Sequence, residues 1–567
     1  MYYRLNDAIG LRKWRYVDRA IYKKGVENAF SASKEEFELL LLCDGKHDIE
    51  PTPYLANLLS QGYIEQCEKG DRVNPWSLLH EYDNYYFPKM NLMITGKCNL
   101  NCLHCFNAKD NAPLNTELTY EQVLNILDQA KDIGVHAFTI TGGEPLVHPR
   151  FLDIIKAIYE RDMYVFELNT NGLLITQNML DTFKELGCNP LIKISFDGVG
   201  YHNWIRQHPK AEDLTIKAIK LCVANGFRVK AQVQVNRKNV DIMMETARLL
   251  DEIGVMEMRM IRTTEAPRWE KNSPDSSLGF EEYYERMTEF AKEYIHSDMS
   301  MIIDIWQLMR LYPHGKAYDL VPIACSKDEF NVRIPMCKGN RGMIAVSSGG
   351  EVVPCLQMSG WFLERKISLG NVLKTPLKEL VKNSDYLNLA MAPLLKQILE
   401  NDKCGNCKYY KACTGGCPAL GLLYSKNGDY YHEDILKCIF FENGWYDRIK
   451  NELKDWQLIR PLDIWCFKGN FWIMKEELLK GLTEEQIKKL DKCESCEEML
   501  ALAKSEGIEL TDEQLQAVSG GVTCGENHPC PKCGSKNIRP SIVYRCLVCK
   551  DCGYEYHGDG SPFTLPD

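Results

Sequence analysis

The stretch Met90 to Cys105, MNLMITGKCNLNCLHC, decides how the chain is read. Met90 to Ile94 is an apolar, β-prone run, and Gly96 ends it just before three cysteines arrive at Cys98, Cys102 and Cys105. A loop at the C-terminal end of a strand is where barrel enzymes carry their chemistry. Three thiolates leave one iron of a [4Fe-4S] cluster without a protein ligand, and such an open position lets a cofactor or substrate bind the metal directly. A structural zinc would want a fourth protein ligand, and His104 lies too close in sequence to be a comfortable one.

Strand-like runs recur at Ala137 to Thr141, Val165 to Asn169, Leu191 to Phe196, Val229 to Val235 and Glu257 to Ile261, with amphipathic helical segments between them. Strands alternating with helices imply a parallel sheet, so six βα units predict an α/β fold, a partial (β/α)6 TIM barrel over residues 86–300. Phe280 to His296 reads as a helix. Over residues 301–450 the periodicity gives way to a turn-rich, cysteine-bearing region, where metal is expected to replace part of a hydrophobic core.

At 567 residues the chain is long enough for several domains. Hydrophobic content of 45% and charged content of 26% suit a soluble globular protein, and no apolar run is long enough to span a bilayer. The N-terminus MYYRLNDAIG lacks a basic segment followed by a long apolar one, so a cytoplasmic location and no membrane partner are expected. The net charge of -10 argues against a broad nucleic-acid-binding face, and no nucleic acid is expected as partner.

Further motifs sit at successive strand ends: TGGEP at Thr141 to Pro145, LNTNG at Leu168 to Gly172, ISFDG at Ile194 to Gly198, and HNWIRQ around Arg206. Together with CxxxCxxC they resemble the radical S-adenosylmethionine (SAM) superfamily. The resemblance implies that Cys98, Cys102 and Cys105 hold a [4Fe-4S] cluster whose open iron is chelated by SAM. It also implies that Gly142, Gly143, Glu144 and Pro145 meet the methionine amino group, that Asn171, Ser195 and Asp197 contact the SAM ribose and methionine, and that Arg206 pairs with the SAM carboxylate. The implied chemistry is reductive cleavage of SAM to a 5′-deoxyadenosyl radical, with a flavodoxin or ferredoxin-type electron donor as partner. Asn236 after the fifth strand and Met258 to Met260 on the sixth are further candidates to line the adenosine, although methionines at alternating positions are more often core.

The 24 cysteines are too many for a reduced cytosolic enzyme unless most of them bind metal. Cys337-x12-Gly350-x4-Cys355, Cys404-x2-Cys407-x5-Cys413-x3-Cys417 and then Cys438 resemble the seven-cysteine pattern of SPASM domains. That likeness implies one auxiliary [4Fe-4S] cluster on Cys337, Cys355 and Cys417, and a second on Cys404, Cys407, Cys413 and Cys438. Cys325 is a candidate fourth ligand of the first; without it, that cluster would keep an open iron. Cys43, Cys67, Cys188, Cys222 and Cys466 read as plain buried thiols.

SPASM-type enzymes mostly act on peptides or proteins, and both ends of the chain point the same way. Residues 1–85, with helices expected at Lys34 to Cys43 and Pro53 to Gln61 and a strand at Tyr63 to Cys67, resemble the winged-helix element with which ribosomal-peptide maturases capture a leader peptide as an added strand. A DNA-type winged helix stays open as an alternative. After a linker at 451–473, residues 474–521 resemble a nitrogen-fixation-type leader peptide, ending in Gly520-Gly521. Residues 522–567 then read as a Cys-rich core peptide, to be modified in cis, or as a zinc ribbon on Cys530, Cys533, Cys549 and Cys552. Two functions follow: a maturase installing a thioether or other crosslink in a leader-bearing peptide, or an enzyme modifying a separate protein that the tail recruits.

Overall fold

Each of the six β-prone runs becomes a strand of one sheet: Lys89–Thr95, Ala137–Gly142, Tyr164–Thr170, Leu191–Ser195, Val229–Val235 and Glu257–Arg262. The computed structural model describes residues 1–15, 17–24, 30–105, 116–324, 330, 334–337, 342–382, 384–462, 538–540, 547–549 and 555–556. The six strands pair in chain order and all run parallel. Local signals set the helices between them: Thr119 and Gln122 form a reciprocal capping box at the start of Tyr120–Asp132, whose Val123, Ile126, Leu127 and Ala130 are buried.

The sheet continues past residue 300. Ile302–Ile305 pairs parallel with Glu257–Arg262, and Met343–Val346 pairs parallel with the first barrel strand, so eight consecutive strands run the same way. Met309–Tyr312, Ala317–Leu320 and Gln457–Leu458 extend one end and Val352–Val353 the other, giving twelve strands whose outer members do not meet: the barrel is open. The cysteine-bearing region is therefore built onto the barrel's own sheet. The expected helix appears as Phe280–Tyr294, and its buried Tyr284 hydroxyl donates to the Leu436 carbonyl at 2.7 Å.

The N-terminal helices appear as Lys34–Leu42 and Pro53–Ser60, followed by the strand Ile64–Cys67. Ile64–Cys67 and Asp44–Asp48 flank Tyr2–Leu5 in a three-stranded antiparallel sheet. A second sheet orders Phe30–Ser31, Val17–Lys23, Ile9–Trp14 and His80–Tyr82, and it seats the unit on the barrel. Trp14 is 1% exposed, stacks on Tyr82, meets Tyr22 and Tyr86 edge-on, and donates Nε1–H to the Ile133 carbonyl.

Cys43, Cys188 and Cys222 are buried free thiols and Cys67 is half-buried. Among the described residues no helix is long and apolar enough to cross a membrane. Cys325, Cys466, the leader-like segment 474–521, Cys530, Cys533 and Cys552 lie outside the described residues, as does the side chain of Cys549. Within the tail, Ile538–Pro540, Leu547–Cys549 and Glu555–Tyr556 form a three-stranded antiparallel sheet.

Candidate active site and auxiliary cysteine sites

The three-cysteine loop leaves the first barrel strand and is gripped from several sides. Cys98 is exposed, Cys102 buried and Cys105 half-buried. Leu100 N–H points at Cys98 Sγ at 3.4 Å, Leu103 N–H donates to the Ile205 carbonyl at 2.9 Å, and Arg268 Nε donates to the Cys102 carbonyl at 2.9 Å. The second strand end lies directly against this loop. Gly143 N–H donates to the Thr95 carbonyl at 2.7 Å and Glu144 N–H to the Lys97 carbonyl at 2.9 Å. A Cβ on Gly143 would stand 2.4 Å from Lys97 O and 2.6 Å from Gly96 O, so only glycine permits that approach.

Glu144 is fully buried, and its carboxylate works inside the protein. Oε1 accepts from Leu146 N–H at 3.1 Å and from the Thr170 hydroxyl at 2.7 Å, while Oε2 accepts from Asn171 N–H at 2.6 Å. Burial pushes this carboxyl up to about 7, against the pull of those three donors. Asn171 in turn donates Nδ2–H to Asn99 Oδ1 at 2.8 Å, with Cys98 Sγ at 3.9 Å. Of the GGEP residues, glutamate is thus a brace between strand ends.

Asp197 and Arg206 form a buried pair, Nε to Oδ2 at 2.7 Å, and the same guanidinium directs Nη1 at Cys102 Sγ, 3.6 Å away. Burial alone would raise the Asp197 carboxyl, but the Arg206 charge and the polar contact with His202 outweigh it and hold it well below the usual carboxylate range. His202 is lowered by burial, and its Nδ1 accepts the Asp197 N–H at 3.0 Å. Gln234 N–H occupies Asp197 Oδ1. The structure thus gives Arg206 two partners in the protein, one of them a cysteine. Ser195 is half-buried at its strand end; Met258, Met260 and Asn236 are fully buried, with Asn236 Oδ1 accepting from Lys238 N–H and the Tyr201 hydroxyl.

In the cysteine-rich region, Cys404, Cys407, Cys413 and Cys438 line one small cavity together with Tyr410 and Asp434. Cys337, Cys355 and Cys417 are neighbours elsewhere, with the buried Tyr430 phenol beside all three. The two groups interleave along the chain. Asp434 lies between them: its Oδ2 accepts Cys417 N–H at 2.9 Å, and Lys437, three residues on, donates Nζ–H to the Cys413 carbonyl. Gly416, at φ +79°, passes so close that a Cβ would stand 2.3 Å from the Asp434 Cβ.

Burial pushes Cys413 up to about 11 and Cys438 up to about 12, so these thiols become thiolates only beside a strong cation. Among the described residues no three His, Cys, Asp or Glu converge on a point where one ion would sit. Four thiols around a cavity fit a multi-iron cluster better than a single metal ion.

Comparison with known proteins agrees. Residues 92–250 match the radical SAM superfamily, and residues 337–413 match the SPASM iron-sulfur cluster-binding domain. The fold is that of the radical SAM enzymes, and a SPASM domain follows the barrel. It is 26% identical over 350 residues to the AdoMet-dependent heme synthase of Methanosarcina barkeri, covering 61% of this chain and 95% of that protein. It is 25% identical over 355 residues to the antilisterial bacteriocin subtilosin biosynthesis protein AlbA of Bacillus subtilis, covering 62% and 70%. The crystal structure of Streptococcus suis SuiB bound to S-adenosylmethionine superposes with a TM-score of 0.53 at 16% identity over 76% of this chain and 99% of that one; SuiB bound to its precursor peptide SuiA gives 0.52.

The cysteine loop and its surroundings are also held by residues that the sequence did not single out. Arg268 grips the cysteine loop through the Cys102 carbonyl and both the carbonyl and side chain of Asn101, and His202 backs Asp197. Arg268 carries no motif and His202 only opens HNWIRQ, because each acts through distances that only the folded barrel creates.

Proposed function

We propose that this radical SAM enzyme takes a hydrogen atom from a peptide and installs a thioether or other crosslink in a ribosomally made, leader-bearing substrate, either its own residues 522–567 or a separate chain. In this reading Cys98, Cys102 and Cys105 hold the SAM-binding [4Fe-4S] cluster. Cys337, Cys355 and Cys417, with Cys325 as a further candidate, and Cys404, Cys407, Cys413 and Cys438 hold the two auxiliary clusters. When bound, the first cluster and SAM supply the 5′-deoxyadenosyl radical.

The protein's own part is positioning. The Gly142–Gly143 turn, held against the cysteine loop, would present its backbone to the methionine amino group, while Glu144 braces the strand ends. Asn171, Ser195 and Asp197 line the strand ends toward the ribose and methionine. Arg206, fixed by Asp197, places positive charge beside Cys102 and toward the SAM carboxylate. A flavodoxin or ferredoxin-type protein supplies the electron.

The observation that carries the peptide reading is the N-terminal sheet. Ile64–Cys67 is an edge strand, pairing only with Tyr2–Leu5 among the described residues, and so offers a ladder to an incoming strand. The SuiB complex with its precursor peptide and the role of AlbA in bacteriocin biosynthesis support the same substrate class. The heme synthases favour a tetrapyrrole instead, but the leader-like residues 474–521 would then have no role.

Anaerobic reconstitution with SAM and dithionite tests the proposal. Formation of 5′-deoxyadenosine with loss of two hydrogens between Val522 and Asp567 supports cis modification. Cleavage with an unchanged tail moves the substrate to another chain, and no SAM cleavage by a chain with full clusters overturns the proposal. A second reading, in which the tail is a zinc-ribbon docking module for a separate protein, is favoured by the three-stranded antiparallel sheet of the tail, two strands of which lie within the span of its cysteines. Removing residues 522–567 would then abolish recruitment while SAM cleavage persists.

A further inference from the structure

Three aromatic rings outside the SAM-contacting set touch in succession and end on the cysteine loop. Trp204 is 38% exposed and carries the Lys238 ammonium 4.4 Å from its ring centre. Its indole meets Trp269 edge-on at 6.3 Å, and Trp269, fully buried, meets His104 edge-on at 6.4 Å. His104 lies between Cys102 and Cys105 in the chain, and its Nδ1 finds no hydrogen-bond partner among the described residues. The Leu103 to Ile205 backbone bond ties the Trp204 helix directly to the cysteine loop.

We infer that Trp204, Trp269 and His104 form the path by which an electron reaches the three-cysteine site, and that the surface around Trp204 and Lys238 docks a small acidic one-electron carrier of the flavodoxin type. The inference rests on the reading that Cys98, Cys102 and Cys105 hold a cluster. One electron leaves the anionic flavin hydroquinone, which becomes the neutral semiquinone, and reduces the cluster by one charge. No proton moves and no bond is made or broken. The rings are a contiguous medium for the electron and are not themselves oxidised. Packing alone would account for buried Trp269, but it gives no role to an indole held at the surface under a lysine, the combination that a carrier with an acidic rim around its flavin would meet. Encounters of this kind are small and weak, so one aromatic anchor and one cation are a sufficient footprint.

The test uses the full-length reconstituted protein, a photoreduced bacterial flavodoxin and, separately, dithionite. Trp204→Ala and Lys238→Glu are expected to weaken flavodoxin binding, followed by fluorescence titration, by about tenfold or more, the loss typical of truncating an interface tryptophan. Cluster reduction by flavodoxin, followed by freeze-quench electron paramagnetic resonance, should slow in parallel, while reduction by dithionite stays at the wild-type rate. Unchanged flavodoxin binding and reduction in Trp204→Ala would overturn the inference. So would an equal loss with dithionite, which would make the tryptophan a mere support of the loop. A wild-type protein that shows no reducible cluster with either reductant would overturn the underlying reading, and this inference with it.

Discussion

Glu144 Oε2 accepts the Asn171 N–H at 2.6 Å, so one carboxylate joins the ends of the second and third barrel strands beneath the cysteine loop. Glu144→Ala orphans three donors in a fully buried site, each at a cost of about 1–3 kcal/mol. Weaker SAM binding, measured by calorimetry on the reconstituted enzyme, is expected together with a lower melting temperature. A variant that binds SAM as tightly as wild type would show that the brace does not set the site.

Gly416 sits where neither a left-handed backbone nor the nearby Asp434 tolerates a side chain. Gly416→Ala is expected to lower the iron and sulfide content of the SPASM domain while leaving the barrel's share intact. Analysis of iron per chain, with the wild type loaded in parallel, checks this.

Removing single thiols should separate the sites. Cys98→Ala is expected to abolish 5′-deoxyadenosine formation outright. Cys413→Ala or Cys438→Ala, both lining the auxiliary cavity, should leave SAM cleavage measurable but stop formation of the modified peptide. Product masses from the same reaction vessel distinguish the two outcomes.

Trp14 anchors the N-terminal unit to the barrel through the Ile133 carbonyl and a stack of tyrosines. Trp14→Ala should cost about 3–5 kcal/mol at that contact. Amide exchange is expected to rise in Ile9–Trp14 and Val17–Lys23 and to stay unchanged in Leu191–Ser195, which lies in the barrel.

The barrel strands were legible because parallel strands buried on both faces leave apolar runs, and their observed ends fall within one residue of the expected ones. The SPASM spacing was legible for a different reason: turns that bring thiols around a shared space leave little freedom in the intervals between them. Three things were not legible. Arg206 reads as a ligand contact, and no sequence pattern records that its guanidinium also pairs with Asp197 and points at Cys102. Arg268 and Trp269 lie after the sixth strand in PRWEKN, which forms the helix Pro267–Asn272 and carries no motif. The extension of the sheet past residue 300 escaped notice because Ile302–Ile305 and Met343–Val346 are four residues each, too short for a periodic signal.

The strand Met343–Val346 runs beside Lys89–Thr95, in register from Met343 with Lys89 to Val346 with Leu92. A chimera that exchanges the second domain at residue 300 would cut through a continuous ladder and leave the first barrel strand with a bare edge. Modules that share a sheet in this way have to be inherited together, so new substrates are more readily reached by changing loops than by swapping halves.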